Sequence, residues 1–157
     1  MPLKNNVTRL LDARRVTYEL FDLPPEKHSA EETAELLGVA PRMVYKTLVV
    51  LRETKGKKPL LVMTPAGREV NLKSLAASLG EKKLKMATQR EAEDLTGLQV
   101  GGISALALLN RGFEICIERA VAELPYIHIS AGQRGANIRL APTDLRALTN
   151  ARLVDTN

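Results

Sequence analysis

The 157 residues contain one cysteine and no tryptophan, and aromatics make up only 3%. A single thiol, Cys116, excludes an intrachain disulfide and suits a reducing, cytoplasmic compartment. With so few rings, the core must be aliphatic. There are only two histidines, His28 and His128. Neither has metal-ligand spacing to the other or to Cys116, so no metal site is expected. The chain has no phosphate-binding P-loop, no dinucleotide fingerprint and no serine in a nucleophile elbow. No cofactor is implied. No apolar stretch approaches the length of a membrane span, and Met1 to Arg15 has no secretory apolar region.

What remains is ordinary in bulk and specific in detail. Hydrophobic residues are 45% and charged residues 26%, typical of a soluble globular protein. The length suits one domain over residues 1–157. Net charge is +5, from 23 Lys+Arg and 18 Asp+Glu. That balance favours an anionic partner such as RNA or a phosphorylated ligand. The lysine clusters at 55–58 and 82–85 can contact an RNA backbone or simply solvate a face.

Pattern predicts the elements. Val7, Leu10 and Leu11 have helical spacing, giving a short amphipathic helix over 7–15. Residues 16–21 alternate as a strand, stopped by Pro24-Pro25. Ser29 and Glu32 form a capping box for a helix through Leu37, closed by Gly38. Residues 44–52 and 59–64 read as a hairpin with a basic tip. Asn71 caps a helix to Leu79, and Gly80 ends it. Residues 84–87 read as a short strand. Thr88 and Glu91 cap a helix that stops near Gly97. Val100 to Ser104 is a glycine turn. Residues 113–118, 126–131 and 137–141 read as strands, and Thr143 opens a final helix. Helices and strands mix without regular alternation, so the fold class is α+β: a curved, barrel-like mixed sheet with helices outside.

Three features can carry chemistry. Lys46 lies in the strongest strand signal, on the same face as Leu48 and Val50. A lysine on an apolar face either sends its ammonium to water or serves a pocket. Gly101-Gly102-Ile103-Ser104 can offer backbone N–H groups to an oxyanion, or be a plain turn. Gly132-Gln133-Arg134-Gly135 can meet a phosphate or a sugar, or be an ordinary hairpin. His128 alternates with Ile127 and Ile129 and reads as structural; His28 precedes a helix and can line a pocket mouth.

In this order and spacing, the Tyr-Lys-Thr-Leu strand, the Val-Gly-Gly-Ile-Ser turn and the Ser-Ala-Gly-Gln-Arg-Gly loop resemble the YbaK family. That family is related to the editing insertion domain of bacterial prolyl-tRNA synthetase. The resemblance runs from about Leu10 to Val154. It implies an aminoacyl-tRNA deacylase that acts on the acceptor end of mischarged tRNA, foremost Cys-tRNA(Pro), with prolyl-tRNA synthetase as a candidate partner. It makes Lys46 the essential residue, and its glycine turn maps onto Gly101, Gly102, Ile103 and Ser104; on the residues' own chemistry, the backbone N–H groups near Gly101 and Gly102 are the candidate oxyanion donors. Around them it implies a substrate-binding set of Tyr45, Thr47, His28, Ile103, Ser104, Gly132, Gln133, Arg134, Gly135 and Asn137.

The chain departs from the family pattern in three places. Ala105 follows the glycine turn where proline is usual. Asn137 stands where aspartate is expected. Leu23-Pro24-Pro25 and Ser29 replace aromatics in the early loop. These positions shape the pocket and so bear on which amino acid enters. A deacylase for alanine, serine or a non-protein amino acid, and a non-catalytic aminoacyl- or nucleotide-binding module, are the alternatives.

Overall fold

Local signals place most elements where the pattern puts them. The structure is a computed structural model that describes residues 4–53 and 56–157. Helix α1 (Asn6–Ala13) opens on a reciprocal cap: Thr8 N–H donates to the Asn5 side chain, and Asn5 N–H donates to the Thr8 hydroxyl. Val7 and Leu11, one turn apart, enter the core. Helix α2 (Ala30–Leu37) has the expected Ser29–Glu32 capping box and the left-handed Gly38. Helix α3 (Leu72–Leu79) is capped by Asn71, and α4 (Gln89–Thr96) by Thr88 with Glu91.

The strands form two sheets. The larger has the order β4 (Leu84–Met86), β2 (Tyr45–Arg52), β3 (Leu60–Pro65), β5 (Glu114–Glu118), β8 (Arg152–Val154). Strands β2 and β3 are antiparallel, as expected of a hairpin, whereas β3–β5 and β5–β8 are parallel. The hairpin tip lies partly outside the described residues. The smaller sheet is β1 (Tyr18–Asp22), β7 (Ala136–Leu140), β6 (Ile127–Ser130), all antiparallel. One parallel bridge, Val44 to His128, joins the sheets. The α+β expectation holds, but the sheet is split rather than closed into a barrel.

Strand β3 shows how the core is layered. All six residues are buried. Leu60 and Val62 face α3, packing with Val50, Leu75, Ala76, Leu84 and Cys116. Leu61 and Met63 face the other way, into a core shared with Ile127, Ile129 and Ile138 of the small sheet. Period-two alternation therefore serves two apolar layers at once. Cys116 is fully buried, and burial pushes its thiol up to about 12, so it is an inert core residue. Two details differ from the pattern. Helix α5 (Pro142–Thr149) starts one residue early because Pro142 occupies its first turn. Strand β8 is three residues long, too short for periodicity to reveal.

A buried carboxylate ties the C-terminal segment to the sheet. Glu118 is 4% exposed. Its Oε1 accepts from both the N–H and the hydroxyl of Thr156, at 3.1 Å each, and its Oε2 accepts from Ala120 N–H at 2.6 Å. Thr156 Oγ1 lies 3.1 Å from Thr64 Oγ1, and Thr64 pairs across the hairpin with Lys46. Replacing Glu118 by Ala orphans these donors. The expected loss is about 1–3 kcal/mol for each buried donor left unpaired, read as a lower urea midpoint.

Candidate active site

Strand β2 has an unfinished edge. Strand β4 pairs only with Val50 to Arg52, and Ala87 N–H donates to the Val49 carbonyl. Beyond that point, among the described residues, only the isolated bridge at Val44 meets this side of the strand. A cavity of about 310 Å³ opens along the gap. It is lined by β2 from Val44 to Val49, the entry to α2, the glycine turn and the start of β7. The volume is at the small end of the range for ligand pockets.

Lys46 is half-buried and lines this cavity. It shares a face with Leu48 and Val50, as the alternation requires. Val50 is covered by the α3 cluster, whereas Lys46 and Leu48 border the cavity. Among the described residues, Lys46 forms no hydrogen bond and no ion pair. The nearest influence is Glu31 on α2, which accepts from Gly67 N–H at 2.6 Å. That bond, with a smaller contribution from the Lys46 charge, holds the Glu31 carboxyl below its usual range. Glu31 thus pins α2 to the turn after β3 and leaves the lysine free for a ligand.

The two glycine segments meet back to back. A Cβ on Gly102 would lie 2.8 Å from Arg134 N and 2.8 Å from Gln133 C, so only glycine lets the turn touch the loop. A Cβ on Gly135 would lie 2.7 Å from the Leu23 carbonyl oxygen, and Leu23 N–H donates to the Gly135 carbonyl at 2.7 Å. The turn, the loop and the early Leu23–Pro25 segment therefore form one rim. Arg134 fastens it, with Nε donating to the Val100 carbonyl at 2.8 Å.

This packing corrects part of the expected donor pair. Gly102 N–H donates to the Gln99 carbonyl at 2.8 Å and is already used. Gly101, with φ +96°, lines the cavity, and its N–H has no partner among the described residues. Ser104 does not line the cavity; it is 1% exposed and its hydroxyl has no partner among the described residues. Gly132, Gln133 and Arg134 also lie outside the lining. Gly132 N–H donates to the Ser130 hydroxyl, and Gln133 Oε1 accepts from Asn5 on α1. These residues brace the rim.

The other expected residues converge. Tyr45, Thr47, His28, Ile103, Gly135 and Asn137 all line the cavity. Tyr45 nevertheless belongs to the main core, and burial pushes its phenol up to about 12. His28 Nε2 lies 2.9 Å from the Pro24 carbonyl oxygen, which bends the early loop over the mouth. Asn137 is buried, and its Oδ1 lies 3.0 Å from His128 Nδ1. His128 is 1% exposed, between the rings of Phe21 and Tyr126, so the structural reading of its burial holds. Residues the pattern did not single out include Thr33 and Ala87. They are neighbours only because β2 leaves its edge open, and no local motif encodes that.

Comparison with known proteins bears on the family and the fold. A family profile described as the aminoacyl-tRNA editing domain matches residues 24–148. A relative from Enterococcus faecalis, EbsC, provisionally named a Cys-tRNA(Pro)/Cys-tRNA(Cys) deacylase, is 32% identical over 154 residues. That match covers 97% of this chain and 92% of the relative. A crystal structure described only as a hypothetical protein superposes with TM-score 0.86 at 27% identity, covering 96% of this chain and 98% of that one. A second crystal structure, provisionally described as a trans-editing enzyme for prolyl-tRNA synthetase, gives TM-score 0.80 at 24% identity. It covers 98% of both chains and supports the fold.

Two outcomes follow from the rim and the buried histidine. Gly102→Ala forces two backbones apart and is expected to cost about 1–3 kcal/mol in urea unfolding, as overpacking does. Burial lowers the His128 pKa from its ordinary 6.5, and nearby Arg139 lowers it further against the raising effects of Asn137 and Glu19. The unfolded chain then binds the extra proton first. Stability is therefore expected to fall as pH drops from about 7 through 6.5, and to fall less in His128→Asn, measured by urea midpoints across pH.

Proposed function

Because the chain belongs to the aminoacyl-tRNA editing domain family, we propose that it is a free-standing deacylase for mischarged tRNA. Residues 1–157 act as one editing unit, and Cys-tRNA(Pro) is its foremost substrate. The observation that carries this reading is that Lys46 and Gly101 line one small cavity, with the Lys46 ammonium and Gly101 N–H both unpaired among the described residues. An ester between an amino acid and the terminal ribose is already activated. The site then needs positioning and charge stabilisation rather than a strong protein nucleophile.

In this mechanism Lys46 holds a phosphate or another polar group of the acceptor end and sets the ester in place. Gly101 N–H takes the carbonyl oxygen as it gains negative charge. Gly102 serves by letting the rim close, since its own N–H is spent on Gln99. Water adds to the carbonyl carbon, the bond to the ribose oxygen breaks, and that oxygen takes a proton. Free amino acid and intact tRNA leave. Where the amino acid is cysteine, its own thiol can attack the carbonyl carbon instead: the C–S bond forms, the bond to the ribose oxygen breaks, that oxygen takes the thiol proton, and water then opens the resulting thiolactone to free cysteine.

Cysteine specificity rests on the named relative and on a small cavity. Asn137, Ala105 and the Leu23–Pro25 loop alter the pocket wall, so alanine, serine and a non-protein amino acid stand as the competing substrates. The basic surface would engage tRNA through phosphates. Several of its lysines are already engaged: Lys57 lies 3.8 Å from Glu81, Lys83 lies 3.9 Å from Glu53, and Lys58 Nζ meets the Arg111 carbonyl. Prolyl-tRNA synthetase is the proposed source of tRNA selectivity.

The test is amino-acid release from a panel of mischarged tRNAs. Wild type is expected to release cysteine from Cys-tRNA(Pro), and Lys46→Ala, folded by circular dichroism, to lose about 10²–10³ in kcat/KM. Near wild-type turnover by Lys46→Ala would remove the lysine from the mechanism. Binding without release across the panel would favour a non-catalytic module.

A further inference from the structure

Asn137 reaches the cavity wall from β7 with half of its carboxamide already committed. Its Oδ1 faces His128 Nδ1 at 3.0 Å, on the face of the small sheet opposite Ile129 and Ile138. Its Nδ2 has no hydrogen-bond partner among the described residues and is not sealed from solvent, as buried unpaired atoms are. Asn137 lines the cavity, as do Lys46 and Gly101. His128 is held by Phe21 at 5.3 Å and Tyr126 at 5.8 Å between ring centroids, so its ring is packed on two sides.

We propose that His128 is a positioning residue that fixes the Asn137 carboxamide with its Nδ2 hydrogens turned into the cavity, where they read a hydrogen-bond acceptor on the aminoacyl group. This rests on the deacylase reading above. The polarity of the pair follows from counting donors. Neutral imidazole carries one N–H. On Nδ1, that hydrogen meets Asn137 Oδ1, and only a lone pair on Nε2 is left buried without a partner. On Nε2, it would be an orphaned buried donor, which is the costlier arrangement. Desolvation of His128, stated above, keeps the ring neutral and so keeps the choice single.

The consequence is that three donors share the cavity lining: the Lys46 ammonium, Gly101 N–H and Asn137 Nδ2, with the Glu26 carboxylate elsewhere on the same lining. Such a wall accepts a carbonyl or hydroxyl oxygen and turns the substrate's own ammonium elsewhere. An aspartate in the same place would keep the bond to His128 yet present an acceptor with negative charge. The asparagine therefore inverts the polarity of that corner, which is a specificity device rather than a neutral exchange.

Two independent measurements decide the proposal. Nitrogen-15 NMR of His128 in the wild-type protein is expected to show the neutral Nδ1–H tautomer. The Nε2–H tautomer would mean a reversed carboxamide and would overturn it. Steady-state deacylation of the best substrate on the panel is the second. Asn137→Asp is expected to lower kcat/KM at least about tenfold, and His128→Leu to raise KM by a similar factor. His128→Asn, which returns an N–H near the Nδ1 position, is expected to recover most of that loss. If Asn137→Asp matches wild type, or if the Leu and Asn variants at 128 behave alike, the positioning role is wrong. Should wild type release nothing from any tRNA, the deacylase reading fails, and the tautomer alone then decides how Asn137 is held.

Discussion

Three stretches of backbone must touch for this protein to have a site, and two glycines permit it. At Gly102 the turn meets the Gln133–Arg134 backbone at a distance where any Cβ would collide. At Gly135 the loop meets the Leu23–Pro25 segment in the same way. The rim so formed lies across the open edge of β2 and faces Lys46. Side-chain packing elsewhere is forgiving, because aliphatic cores tolerate shape changes better than backbone contacts do. The close approaches are not, since neither partner can rotate away.

The electrostatic design follows from that geometry. Glu31 feels the Lys46 charge, yet its hydrogen bond goes to Gly67 N–H rather than to the lysine. Gly102 could have been a second oxyanion donor, but its N–H closes the turn onto Gln99. Gly102 N–H is thereby removed from the chemistry, whereas the Lys46 ammonium and Gly101 N–H have no partner among the described residues. The polar network of Glu118, Thr156 and Thr64 works from behind. It ties the C-terminal segment to Thr64, the strand position opposite Lys46.

Much of the fold was legible because local rules were obeyed. Caps at Ser29 and Thr88, the left-handed Gly38 and Gly80, and the β2–β3 hairpin all carry their own signals. Lys46 was legible as an anomaly, a lysine among apolar neighbours on one strand face. The split into two sheets was not, since alternation says which residues share a face and nothing about which strand lies beside which. Strand β8 was silent for want of length. The roles within the glycine turn were also hidden: sequence makes Gly101 and Gly102 look alike, whereas one offers its N–H and the other offers its missing Cβ.

The sequence by itself determined the α+β class, most of its helices and strands, the aliphatic core, the inert burial of Cys116, and the family set of Lys46 with its two glycine segments. Those properties depend on composition, period and short-range spacing. Tertiary structure alone decided that β2 ends its pairing early, that Gln133 and Arg134 lie outside the cavity lining, and that His128 meets Asn137. These depend on contacts between residues far apart in the chain, where a hydrogen bond made in one place removes a donor from another.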